Sequence, residues 1–121
     1  MASKVALVTG GGSGIGRAVA IALADNGYSV ALAGRRLAQL EETAAASKGQ
    51  MLPLSVDVTD AAAVQDMVAR TVARFGRLDV LFNNAGATAP PTPTEDLPLE
   101  IWRKVIDTNL SGAFYVCRFF L

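Results

Sequence analysis

The sequence contains no histidine and a single cysteine, Cys117. Without histidine there is no imidazole to act as a general base near neutral pH, and most zinc sites lose their usual ligand. One cysteine cannot form a disulfide within the chain, and a reducing, cytoplasmic setting fits that usage. No charge of either sign prevails, since 11 basic residues stand against 11 acidic ones. Such a balance offers no general electrostatic surface to nucleic acid or to an anionic membrane. Long apolar runs are also missing. No stretch approaches the roughly 20 residues that span a bilayer. The apolar segment 18–24 follows a glycine loop, and Arg118 interrupts the segment 113–121. The first apolar run, Val5–Val8, leads straight into glycines, so no separate leader is expected. The expected partners exclude nucleic acid and membrane.

What is present is a chain of 121 residues, 51% of them hydrophobic, enough for one domain with a core. Apolar runs alternate with helical periodicity. Val5–Thr9, Ser29–Ala33, the Leu52/Leu54/Val56 stretch and Val80–Phe82 read as strands. The first is uniformly apolar, as suits a strand buried on both faces of a parallel sheet. Pro53 sets the third near an edge. The first helix is expected to turn Ile15, Val19, Ala22 and Leu23 inward, and Gly27 is its stop. The second carries Leu37, Leu40 and Ala44 and ends near Gly49. Thr59 or Asp60 can cap the third, which carries Val64, Met67, Val68, Val72 and Phe75 as far as Gly76. A proline-rich loop, Ala87–Pro98, precedes one continuous helical pattern from Ile101 to Cys117.

Strands alternating with helices imply βαβ units. Right-handed crossovers then predict an α/β, doubly wound parallel sheet with its first four strands in the order 3-2-1-4. The order reverses between strands 1 and 4, so a ligand crevice is expected beyond Thr9 and Asn83.

The loop at that place reads Thr9-Gly10-Gly11-Gly12-Ser13-Gly14-Ile15-Gly16. Glycines let a backbone turn tightly and approach a pyrophosphate, while the helix that follows aims its free N–H groups and positive dipole end at the phosphate. Position supports this reading, because the loop follows a strand and opens a helix. No glycine triple fits G-x-G-x-x-G, and no Lys-Ser or Lys-Thr follows as a P-loop needs. The spacing is instead T-G-x-x-x-G-x-G.

That spacing resembles the short-chain dehydrogenase/reductase family, in its smaller branch, and the likeness runs along the whole chain. Three further features agree with it. Asn83-Asn84-Ala85-Gly86 matches the family's N-N-A-G loop, although alone it reads as an ordinary turn. Asp57-Val58 follows strand 3, where the family sets a carboxylate and a backbone N–H against adenine; alone, Asp57 reads first as a helix cap. Asn109 lies inside the last helix, where the family has a structural and catalytic asparagine; alone, it is a core amide that has found a partner. The resemblance implies a Rossmann-type fold with cofactor contacts at Gly10, Ser13, Gly14, Ile15, Gly16, Asp57, Val58, Asn83, Ala85 and Gly86. It also implies self-association through the last helix.

The residue after strand 2 distinguishes the two nicotinamide cofactors. An acid there accepts bonds from the ribose hydroxyls of NAD, whereas an arginine can pair with the extra phosphate of NADP. This chain has Gly34-Arg35-Arg36 and no acid. A guanidinium offers two parallel bonds to phosphate, and Arg35 lies nearest the strand end. NADP is therefore expected over NAD, with solvated helix-start arginines as the alternative. The basic residue that many NADP users in the family carry at the position of Ser13 is absent.

The family moves a hydride between nicotinamide and a carbonyl or alcohol, using a serine, a tyrosine, a lysine four residues later, and an asparagine. Tyr28 precedes strand 2, and Tyr115 has Phe119 where the lysine is needed. Lys4, Lys48 and Lys104 have no tyrosine four residues before them. Only Asn109 of the set is matched. The expectation is one partial cofactor-binding domain over residues 1–121, ending before strand 5 and inactive alone. It would belong to an oxidoreductase acting on a small carbonyl or alcohol. A non-catalytic dinucleotide-binding module and an inert fragment are the alternatives. The substrate is not legible.

Overall fold

The computed structural model describes residues 3–121. Four parallel strands form one sheet in the order β3-β2-β1-β4, as the crossover rules require. They are β1 (Val5–Thr9), β2 (Ser29–Gly34), β3 (Met51–Ser55) and β4 (Val80–Phe82). β1 pairs with β2 from Val5↔Ser29 to Thr9↔Ala33, and with β4 from Ala6↔Val80 to Val8↔Phe82. Pro53 sits opposite Leu32 in the edge strand β3, where a missing N–H is tolerated.

Helices cover both faces of this sheet. They are α1 (Gly14–Asp25), α2 (Leu37–Ala45), α3 (Ala61–Phe75), α4 (Leu99–Ile106) and α5 (Ala113–Phe120). On one face Val8, Val30 and Leu32 meet Ala20 and Ala24 of α1 and Leu40 of α2. On the other, Leu7, Ala31 and Leu54 meet Val64 and Met67 of α3 and Val116 of α5. Every residue of β1 is buried, which explains its unalternating apolar run. Each such leucine or valine contributes about 1.5–3 kcal/mol through removal from water.

α1 does not present the face that its bulkier residues predict. Gly16, Ala20 and Ala24 are buried, while Ile15 is 70% exposed and Ala22 lies outward. The helix approaches the sheet so closely that small residues fill the contact. α2 ends at Ala45, short of Gly49. α3 starts and stops by local chemistry: the Asp60 carboxylate accepts from Ala63 N at 3.2 Å, and Gly76 closes the helix at φ +84°. Entry into β4 is fixed by Asp79. Its carboxylate accepts from Val5 N at 2.9 Å and pairs with Arg77 at 2.7 Å.

The last helical pattern is not uniform either. Between α4 and α5 the residues Asp107–Gly112 form a wider π-type turn. Gly112 within it is pressed onto the loop after β3: a Cβ there would lie 2.7 Å from Val58 Cγ2 and 3.2 Å from the Val58 carbonyl oxygen. Among the described residues, no helix is long and apolar enough to cross a membrane.

Candidate functional site

Three loops leave the C-terminal ends of β1, β3 and β4 on the side where the strand order reverses. The first is the glycine loop. Gly10 turns at φ +67° and Gly14 at φ +56°, conformations that L side chains resist. Gly10 N and Gly11 N both donate to the Ala33 carbonyl, at 2.8 and 3.3 Å, fixing the loop to the end of β2. Gly16 is needed for space: a Cβ on it would collide with the Gly10 carbonyl oxygen. The extended Ser13 precedes α1 and makes no side-chain cap, and the first turn of α1 holds no acid. Arg17 N donates to the Ser13 carbonyl at 3.2 Å, and among the described residues the N–H groups of Gly14, Ile15 and Gly16 have no acceptor.

The second loop, after β4, is held to the first by a side chain. The Thr9 hydroxyl is fully buried and accepts from both Asn84 N and Ala85 N, each at 2.9 Å. Asn83 faces elsewhere, its amide donating to the Ala113 carbonyl at 3.0 Å. Asn109 reaches this loop from the π-type turn. Its Oδ1 accepts from Ala87 N at 2.7 Å and its Nδ2 donates to the Ala87 carbonyl at 2.9 Å. That amide has a partner, as an amide on this helix requires, although Asn109 itself is exposed.

The third loop, after β3, carries Asp57 and Val58. Asp57 does not cap α3, a role that falls to Asp60. Its Oδ1 instead accepts from Thr59 N at 2.9 Å and from the Thr59 hydroxyl at 2.7 Å. Those bonds, the backbone N–H foremost, hold the Asp57 carboxyl below its ordinary pKa, with the nearby charge of Arg35 adding to the effect.

These loops, with the end of β2 and the start of α2, border an open cleft of about 290 Å³. Gly10, Ser13, Arg35, Asp57, Val58, Ala85 and Gly86 all line it. Sequence reasoning had singled out each of these. Gly14, Ile15, Gly16, Asn83 and Asn109 lie off the wall; Gly16 shapes the loop from behind, and Thr108, beside Asn109, lines the wall. Gln39 and Leu40 were missed. Their signal was available in position, because both lie in the opening turn of α2, which begins two residues after Arg35.

Residues 4–121 match the family model described as short chain dehydrogenase. The chain belongs to the short chain dehydrogenase family. It is 40% identical over 116 residues to levodione reductase of Leifsonia aquatica, covering 92% of this chain and 43% of that protein. It is 42% identical over 118 residues to D-threitol dehydrogenase of Mycolicibacterium smegmatis, covering 95% of this chain and 45% of the relative. Among solved structures, an actinorhodin polyketide ketoreductase mutant with NADPH superposes at a TM-score of 0.93 with 36% identity, over 100% of this chain and 48% of that one. This member of the short chain dehydrogenase family thus spans about half the length of the curated relatives it matches.

Proposed function

We propose that this chain is the cofactor-binding half of an NADP-dependent oxidoreductase that transfers a hydride between nicotinamide and a small carbonyl or alcohol. The observation that carries the cofactor reading is the wall of the cavity. It joins the glycine loop at one end to Arg35 and Asp57 at the other, across the switch point of a doubly wound sheet. The residues fit a dinucleotide. Gly10 and Gly12 leave the wall free of side chains where a diphosphate must come close, and the start of α1 supplies unpaired N–H groups. In this reading Gly10, Ser13, Gly14, Ile15 and Gly16 form the diphosphate end. Asp57 and Val58 face adenine, and Ala85 and Gly86 floor the site with Asn83 behind them. When bound, the cofactor supplies or accepts the hydride.

NADP rather than NAD follows from Arg35. No carboxylate stands on the cavity wall at the end of β2, and among the described residues the Arg35 guanidinium forms no salt bridge. The ketoreductase solved with NADPH lends support as a structural neighbour. Hydride transfer also needs the family's serine, tyrosine and lysine, for which these 121 residues offer no match. Asn109 is the one catalytic position represented, and it holds the Ala87 backbone. Self-association through α4 and α5 belongs to the same proposal, because Trp102, Leu110 and Phe114 stand 55–65% exposed there.

The test is fluorescence titration of the chain with NADPH and NADH, before and after Arg35→Asp. A guanidinium–phosphate bond of about 1.5–3 kcal/mol predicts roughly a 10- to 100-fold loss for NADPH, with NADH held or bound more tightly because the new acid can accept from its ribose hydroxyls. An unchanged ratio between the two cofactors overturns the NADP assignment.

A further inference from the structure

The glycine loop is held from behind by a residue that belongs to neither loop nor cavity. Thr43 lies in the last turn of α2 and is fully buried. A threonine inside a helix ordinarily back-bonds to the carbonyl four residues earlier. Here that carbonyl, Gln39 O, is at 3.2 Å, while the Gly11 carbonyl, 32 residues away, lies closer at 2.9 Å. Arg17 Nη1 of α1 donates to the Thr43 hydroxyl oxygen at 3.4 Å, which leaves the hydroxyl proton for a carbonyl. Among the described residues no other donor reaches Gly11 O. The surroundings give Gly11 and Gly12 little freedom. A Cβ on Gly11 would lie 2.7 Å from Leu32 Cδ2, and one on Gly12 would lie 3.1 Å from Gln39 Cβ.

We propose that Thr43 is a positioning residue for the diphosphate-binding segment of the loop. It fixes the Gly11 peptide, and with it the orientation of the following N–H groups, by tying that carbonyl to α2. Thr43 does not line the cavity, and the shorter of its two carbonyl contacts, 2.9 Å against 3.2 Å, is to Gly11. This rests on the dinucleotide reading above. It differs in outcome from Arg35, because a loop that reads diphosphate serves NAD and NADP equally. A variant at Thr43 should therefore weaken both cofactors by one factor, where a variant at Arg35 changes their ratio.

The experiment compares the wild-type chain with Thr43→Val, which keeps the shape and removes the hydroxyl, and Thr43→Ser, which restores it. NADPH and NADH are titrated by fluorescence, and ADP and adenosine by displacement of NADPH. Thr43→Val is expected to weaken NADPH, NADH and ADP by about tenfold and to leave adenosine, which has no diphosphate, unchanged; Thr43→Ser binds like wild type. If Thr43→Val does not fold by circular dichroism, Thr43→Ala takes its place with the same expectation. Wild-type-like ADP affinity in the folded variant overturns the inference alone. So does an equal loss for adenosine, which would mark general loosening. A wild-type chain that binds none of the four overturns the dinucleotide reading, and the inference with it.

Discussion

The two sides of β1 are built differently. Toward β2, every residue of both strands from Val5 to Ala33 in the paired register is buried, and the crossover helix α1 meets them with glycine and alanine. Toward β4, the strand has three residues, all only half-buried, and the helix that follows leaves Leu99, Trp102, Leu110 and Phe114 more than half exposed. The first side is close-packed, so a single methyl group is felt there. The second is open, and its order depends on a few hydrogen bonds from Thr9, Asn83 and Asn109. Close packing in this chain is concentrated beside the glycine loop.

Substitutions can sharpen that contrast. The largest effect is expected at Gly16→Ala, where the added methyl meets the Gly10 carbonyl. Backbone cannot give way as a side chain can. Overpacking should cost about 1–3 kcal/mol of stability and displace the loop. NADPH binding by titration should fall more than about 100-fold, in proportion to a displacement at the contact itself. An affinity close to wild type would show that the first side is softer than described. On the open side, Asn109→Leu removes two bonds to the Ala87 backbone. Because the site is exposed, water replaces part of the loss, and about 1 kcal/mol is expected in a urea melt. Amide exchange at Ala87 should quicken in the same variant. A drop as large as that of Gly16→Ala would erase the difference between the two sides. The smallest effect is expected at Leu110→Lys. With 65% of the residue already exposed, stability should shift by no more than about 0.5 kcal/mol. Sedimentation velocity should nonetheless show weaker self-association than for wild type. An unchanged sedimentation profile removes this face from the proposed contact.

The contrast also governs what could be read from the sequence. The strand order and the glycine loop were legible, because uniform apolar runs and clustered glycines are local signals, whereas Asp57, Val58, Ala85 and Gly86 stood out only through the family resemblance and each alone had an ordinary structural meaning. The inward face of α1 was not. Helical periodicity placed Ile15 and Ala22 inward with Val19 and Leu23, which are partly buried, whereas close approach to the sheet selects for smallness, at Gly16, Ala20 and Ala24. The π-type turn was equally hidden. Two distant contacts accompany it, Asn109 with Ala87 and Gly112 against Val58, and no periodicity encodes either. Thr43 carried no signal because its partner, Gly11, lies 32 residues back along the chain. Asp57 was readable in kind and not in detail: a short acidic side chain before a helix can cap it or close a turn, and Asp60 settles the matter by taking the cap.

The Thr9 hydroxyl has a bearing on assembly in time. Its two bonds join positions 75 and 76 residues apart, whereas the pairing of β1 with β2 closes a much shorter stretch of chain. Longer loops cost more entropy to close, and contacts across them form more slowly. A chain emerging N-terminus first has its whole glycine loop in hand before the residues that complete the cavity are made. A ligand in the cavity would therefore act on a late docking event, that of β4, and its stabilisation would grow with the logarithm of its concentration.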